Sequence, residues 1–240
     1  MSTHFISDLH LDPSQPETTA RLLDYLGGAA RAASELYVLG DLFEAWVGDD
    51  DDTALSATVA HAFAACAATG VRIAFLHGNR DFLLGAAYAA RCGMQLLPEE
   101  CVIEIEGVAT LLLHGDTLCT GDHAYQAFRR QARNPDWQAS MLGQPLAVRR
   151  QFAAAARAHS AHHVAMSAAA IMDVAPDAVA SAYARHGVRR MIHGHTHRPA
   201  IHTAAAATGP VERIVLGDWH VRGSILQVDG ERATLREFER

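Results

Sequence analysis

The sequence predicts an α/β protein: a four-layer α/β/β/α sandwich of two mixed sheets that carries a helical insertion. Three observations predict it. Over the first eighty residues short apolar runs alternate with helix-spaced segments, the βαβ rhythm of a largely parallel sheet. Further apolar runs, at 101–113 and beyond residue 190, provide strands for a second sheet. Between these groups, residues 122–173 turn Ala- and Arg-rich and helical. The expected division is a core of 1–121 and 174–240 with an insertion, or lid, at 122–173.

In order along the chain, HFISDLHL (4–11) reads as a first strand and TTARLLDYLGGAARAA (18–33) as a helix. ELYVLGDLF (35–43) is a second apolar run that ends on Gly-Asp. The segment TALSATVAHAFAACAATG (53–70) has helical spacing and stops on Gly70, before the strand and polar turn of VRIAFLHGNRD (71–81). CVIEIEGVATLLLHGD (101–116) reads as a hairpin turning at Glu106-Gly107. The helical stretch that follows is broken at Pro135 and again at Gly143 and Pro145. A helix over PDAVASAYARHG (176–187) leads into VRRMIHGHTHRP (188–199), and RIVLGDW, SILQV and ATLREF close the chain as short strands.

Composition narrows the function. With 240 residues, half of them hydrophobic, and a mean hydropathy of +0.02, the chain can bury a sizeable core. A formal charge of −7 argues against a general nucleic-acid binder. The chain has no long charge-free apolar run and no basic-then-apolar leader, so neither a spanning helix nor a secretory signal is expected. Cys66, Cys92, Cys101 and Cys119 form no C-x-x-C pair and read as reduced, packed thiols in a cytosolic protein. All the basic residues are Arg, a whole-chain bias. The 15 His are a resource for metals and proton transfer.

Five strand ends carry groups suited to metals: Asp8 with His10, Asp41, Asn79, His114, and His193, His195 and His197. The carboxyl ends of strands in an α/β sheet share one edge, where ligands bind, so these residues can converge there. In D-x-H and H-x-H, an extended backbone would point both side chains of each pair the same way. Each feature alone has an ordinary reading, as a turn or a hydrogen-bonded histidine. Five turns that all choose acid, amide or imidazole groups argue for a shared site.

In that order DLH (8–10), GD (40–41), GNRD (78–81), HGD (114–116) and GHTH (194–197) resemble the calcineurin-like metallophosphoesterases. The resemblance implies two divalent metals bridged by Asp41, with Asp8, His10 and His197 on one side and Asn79, His114 and His195 on the other. An oxygen and nitrogen donor set without thiolate suits Mn²⁺, Fe²⁺ or Zn²⁺, and Mn²⁺ is the expectation. Many members place His where this chain has Arg80. An Arg cannot give up its proton, but it can clamp a phosphate through two hydrogen bonds, which suits a diphosphate.

The longer strings GDLFEAWVGDDDD (40–52), HGNRDFLLG (77–85), LLHGDTLCTGD (112–122), IMDV (171–174) and IHGHTHRP (192–199) are similar to one subgroup, the UDP-2,3-diacylglucosamine pyrophosphatases of bacterial lipid A synthesis. This implies hydrolysis of the diphosphate of a UDP-linked diacyl sugar, with attack on the α-phosphorus. Asp41, Asn79, Arg80 and His195 would be catalytic, and His193 or His195 could aid the leaving group. Substrate contacts are implied at Asn79, Arg80, Asp122, Ser160 and His195, and at the positions of Val164 and Ser167. The subgroup often has a polar residue and a Lys at those last two positions, so Arg157 or His163 would have to substitute. Tyr125, Phe128, Trp137, Met141, Leu142, Leu146, Phe152, Met166 and Ile171 could line a place for acyl chains, although packing on the core explains most of them. The expected protein is a monomer bound peripherally to the cytoplasmic face of the inner membrane. Competing expectations are another phosphoesterase of the superfamily and a non-catalytic scaffold, which would be expected to have lost ligands. A metallo-β-lactamase-like hydrolase would need an early H-x-H-x-D-H, which is absent.

Overall fold

The computed structural model describes residues 2–166, 173–206, 209–230 and 232–239, with backbone alone at 161–166 and 206. Ser167 and Ile171 therefore lie outside the described residues, as do the side chains of His163, Val164 and Met166. Along the chain run β1 (Ser2–Ile6), α1 (Pro16–Gly27), β2 (Ala33–Val38), α2 (Ala54–Ala67), β3 (Arg72–Phe75), α3 (Ala86–Cys92), β4 (Met94–Leu96), β5 (Glu100–Ile105), β6 (Val108–Leu113), α4 (His123–Ala132), α5 (Pro135–Leu142), α6 (Leu146–Met166), α7 (Pro176–His186), β7 (Arg190–His193), β8 (Ala200–Ala206), β9 (Gly209–Val215), β10 (Gly223–Asp229) and β11 (Arg232–Phe238).

Two mixed sheets result, in the orders β11-β10-β1-β2-β3-β4 and β5-β6-β7-β9-β8. In the first, β1 to β4 are parallel and β10 and β11 add antiparallel beside β1. In the second, β6, β7 and β9 are parallel, flanked by antiparallel β5 and β8. Strand alternation separates three apolar layers. Phe5, Leu39, Leu112, Ile192, Ile214 and Leu226 pack between the sheets. On the outer face of the first sheet, Ile6, Leu36 and Val38 meet Leu22, Val59, Phe63 and Tyr88 from the helices. Leu111, Leu113 and Met191 meet Ala182 and Tyr183 of α7 on the outer face of the second. The result is the α/β/β/α sandwich the sequence predicts, with each fully buried Leu, Ile or Phe worth roughly 1.5–3 kcal/mol relative to exposure.

Local chemistry sets the boundaries. Thr53 accepts from the Ser56 amide at 3.0 Å and Ser56 Oγ accepts from the Thr53 amide at 2.9 Å, a reciprocal cap that starts α2. The hairpin turns at Glu106 and Gly107, both with positive φ (49° and 79°), as a tight two-residue turn requires. Asn134 caps α5 through the amides of Asp136 and Trp137, and Pro135 fills its first turn. The first strand ends at Ile6, earlier than the sequence suggests. Beyond it the chain follows the loop after β2 through Asp8 N to Gly40 O (3.1 Å) and His10 N to Asp41 O (2.9 Å).

α6 is fastened to the acidic loop after β2. The buried Arg149 guanidinium donates to Val47 O at 2.6 Å and Asp50 Oδ1 at 2.7 Å, and Arg150 pairs with Asp51. No helix among the described residues is long and apolar enough to cross a membrane.

Candidate metal centre and active site

The predicted ligands converge at the carboxyl ends of β1, β2, β3, β6 and β7, but by a different geometry from the one their spacing suggests. Asp8, His10, Asp41, His195 and His197 have φ of 56°, 50°, 53°, 67° and 54°. These are left-handed residues in tight loops, so the extended D-x-H and H-x-H reading is corrected. Loop curvature, and not strand periodicity, aims the pairs. Such backbone costs on the order of 1–3 kcal/mol per residue and collects at functional sites.

The glycines of the motifs have a steric reason. A Cβ on Gly78 would lie 2.1 Å from Asp41 Oδ1, and one on Gly194 would lie 2.1 Å from Asp8 Oδ2. Only a bare backbone lets each carboxylate approach the neighbouring loop.

Asp8, fully buried, accepts from Ser7 Oγ at 2.5 Å and from the His195 amide at 2.9 Å, and its Oδ1 lies 3.4 Å from His197 Nε2. Asp41 Oδ1 accepts from the Arg80 amide at 2.8 Å. Its Oδ2 stands 3.7 Å from His10 Nε2 and 3.7 Å from His114 Nε2. Asn79 Oδ1 lies 2.9 Å from both His114 Nε2 and His195 Nδ1. On the other side, His10 Nε2 faces His197 Nε2 at 3.2 Å. All seven predicted ligands are therefore within one cluster.

These groups fit two divalent cations. The Nδ1–H of His114 donates to Leu39 O, and that of His10 to Glu44 Oε2, both at 2.8 Å. Each ring thereby turns Nε2 inward, where a cation can take the place of its proton. Lone pairs of imidazole, amide and carboxylate crowd together, an arrangement that bound cations relieve. The charges of the cluster also shift its ionisation. Burial alone would lower His10, but the Glu44 hydrogen bond and the Asp41 and Asp8 charges push it up to about 9. Burial would raise Asp8, yet contact with His197 and the neighbouring imidazoles holds it well below the usual carboxylate range. Burial and the neighbouring His114 push His195 down to about 4, leaving it neutral at pH 7.

Arg80 reaches over the cluster. Its Nη2 donates to Ser160 Oγ of α6 at 3.3 Å, and its Nε is buried with no hydrogen-bond partner among the described residues. Arg157 donates to Asp12 Oδ2 at 3.3 Å. Asp122 caps α4 by accepting from the Tyr125 amide at 3.0 Å. His193 is not brought to the cluster. Its Nδ1 lies 2.9 Å from Gly194 O and its Nε2 3.1 Å from Arg213, in full burial that pushes it down to about 3. With both nitrogens engaged it has no free atom for a leaving group, and that expectation is withdrawn.

Sequence reasoning missed Glu44, Asp81 and His220. Glu44 orients His10. Asp81, fully buried, accepts from the amides of Gly78 (2.9 Å), Asp41 (3.3 Å) and Leu42 (2.7 Å), tying together the loops after β2 and β3. Its acidic position in GNRD was the available signal. His220 stacks on His10, ring centroids 5.4 Å apart, and completes a His10, His197, His220 group that could hold a metal. A lone His after Asp-Trp gives no sequence signal.

The family model of the calcineurin-like phosphoesterases matches residues 1–199. The chain is 50% identical to a UDP-2,3-diacylglucosamine hydrolase of Xanthomonas oryzae pv. oryzae (strain PXO99A) over 99% of both chains. It is also 50% identical to one of Cellvibrio japonicus (strain Ueda107) over 100% of both. Among solved structures, a novel archaeal phosphodiesterase is similar at 13% identity and a TM-score of 0.48, over 99% of both chains. A family match across most of the sequence and half-identity over its full length, on top of a complete set of converging ligands, place the chain in the calcineurin-like phosphoesterase family, among the UDP-2,3-diacylglucosamine hydrolases.

Proposed function

We propose that the protein hydrolyses the diphosphate bond of UDP-2,3-diacylglucosamine in lipid A synthesis. Water attacks the α-phosphorus, the bond to the bridging oxygen breaks, and UMP and 2,3-diacylglucosamine 1-phosphate leave. The observation that carries the reading is the position of Asp41 Oδ2, 3.7 Å from one imidazole of each ligand group. That carboxylate is suited to bridge two ions, one held by Asp8, His10 and His197 and the other by Asn79, His114 and His195. Mn²⁺ is the proposed metal. When bound, such a pair lowers the pKa of a water and offsets charge on phosphoryl oxygens.

The chain's own groups supply the rest. Arg80, fixed by its backbone bond to Asp41 and its side-chain bond to Ser160, presents a permanent cation to the diphosphate. His195, with Nδ1 2.9 Å from Asn79 Oδ1, serves as ligand and phosphate contact. Asp41 and Asn79 hold the reacting geometry.

We read α4, α5 and α6 as the lid, part of an insertion at 122–173. Phe82, Trp137 and Phe152 form a chain of ring contacts (6.2 and 5.7 Å) between core and helices, and Leu142, Val148 and Phe152 are exposed. This apolar face supports acyl-chain binding and peripheral attachment of a monomer to the inner membrane. Substrate contacts are proposed for Asp122, Arg157 and Ser160, with Val164 and Ser167 at the remaining positions. Release of UMP from the acylated substrate in detergent micelles with Mn²⁺, beside a deacylated UDP-sugar, tests the reading. Release from the acylated substrate alone supports it, and equal release from both removes the lipid specificity.

A further inference from the structure

Beside the ligand cluster, on the His10 and His197 side, lies a cleft of about 480 Å³ lined by His10, Asp12, Ser14, Gln15, Glu44, Arg80, Arg157, His197 and His220. Not one of these side chains is aliphatic, and the lining is mostly polar. The apolar path of Phe82, Trp137 and Phe152 runs between the core and the helices instead.

We propose that this cleft seats the uridine monophosphate half of the substrate, and that Gln15 and His220 are its recognition residues. The inference rests on the substrate reading above. A volume of this size is within the range of small-molecule sites, about 300–1,000 Å³. The guanidinium groups of Arg80 and Arg157 both line the cleft, two permanent cations for a nucleotide phosphate. The wall beside Arg157 is preformed, with Asp12 Oδ2 accepting from Arg157 at 3.3 Å. Asp12 Oδ1 accepts from the amide and the hydroxyl of Ser14, at 2.9 and 2.6 Å, which fixes the turn before α1. Gln15 Oε1 lies 3.2 Å from His220 Nδ1, and the His220 ring is nearly parallel to His10, at 14°. This gives an aromatic platform beside amide and carboxylate groups that match the donors and acceptors of a pyrimidine and the hydroxyls of a ribose.

Titration calorimetry of the Mn²⁺-loaded protein with UMP, ribose 5-phosphate and 2,3-diacylglucosamine 1-phosphate tests this without turnover. UMP should bind at least tenfold more tightly than ribose 5-phosphate. Gln15→Ala and His220→Ala should each raise the Kd for UMP about tenfold and leave that for the acylated sugar phosphate as in wild type. Gln15 touches none of the seven predicted ligands, so its variant should also retain full metal content and separates base recognition from damage to the centre. Equal binding of UMP and ribose 5-phosphate would overturn the proposal, as would wild-type UMP affinity in Gln15→Ala, or a UMP affinity that moves with Trp137→Ala. Gln15-dependent UMP binding without cleavage of the acylated substrate would overturn the substrate reading and keep the nucleotide seat. Cleavage with UMP affinity indifferent to Gln15 would do the reverse.

Discussion

Asp81 and Asp41 brace each other across two loops. Asp81 Oδ1 accepts from the Asp41 amide at 3.3 Å, and Asp41 Oδ1 accepts from the amide of Arg80, the residue before Asp81, at 2.8 Å. The buried carboxylate that appears in no ligand list thus holds the one placed to bridge the metals.

Asp81→Asn replaces an acceptor by a donor facing backbone amides. It should cost about 1–3 kcal/mol of stability and roughly 10–100-fold in metal affinity. Thermal melts and metal titration check both. Unchanged metal affinity would show that the brace is dispensable.

Arg80→Ala should lower turnover by about 10²–10³-fold, the usual loss on removing one charge-stabilising donor. Bound metal should be largely unchanged, because Arg80 reaches the cluster's ligands only through its backbone. Parallel loss of metal and activity, measured on the same preparation, would make it a structural part of the centre.

Burial pushes the thiols of Cys92 and Cys119 up to about 12. At pH 8 they are protonated as well as covered, so iodoacetamide should spare them in the native protein and alkylate Cys101 first. Mass spectrometry of partly labelled protein reads the order, and early labelling of Cys119 would contradict the packing around residues 115–122.

Glu100 joins the edge strand β5 to the end of α7, accepting from Arg185 at 2.8 Å and lying 2.7 Å from His186. Burial would raise its pKa, but these partners lower it below the ordinary 4.5. A group depressed in the folded state stabilises above its unfolded pKa, and that contribution disappears as pH falls through the folded value. For this partly exposed pair it is on the order of 0.5–1 kcal/mol. Glu100→Gln should therefore reduce stability at pH 7, and the difference from wild type should shrink as pH falls below 4.5, as denaturant melts across that range would show.

Much of the fold was legible because alternation and punctuation coincide: the turn at Glu106-Gly107, the helix break at Pro135 and the stop at Gly187 all stand where the sequence puts them. β8 escaped notice because AIHTAAA has little β-propensity outside its pairing with β9, and β4 because three residues carry no period. The ligands were readable as residue types, since coordination chemistry restricts the choice. Their geometry was not, because the left-handed backbone at Asp8 and His10 is held by bonds to the neighbouring loop after β2. Glu44 and His220 act through partners distant in sequence, and nothing in their own surroundings announces it; Asp81 left only its acidic position in GNRD as a signal.

The central claim is that Asp41 joins two ions into one catalytic centre. Metal content and UMP release, measured together on wild type and Asp41→Ala, test it most directly. The account predicts two divalent ions per wild-type chain, and fewer ions with no measurable turnover in the variant. Wild-type turnover by Asp41→Ala, or by metal-depleted protein, would contradict it.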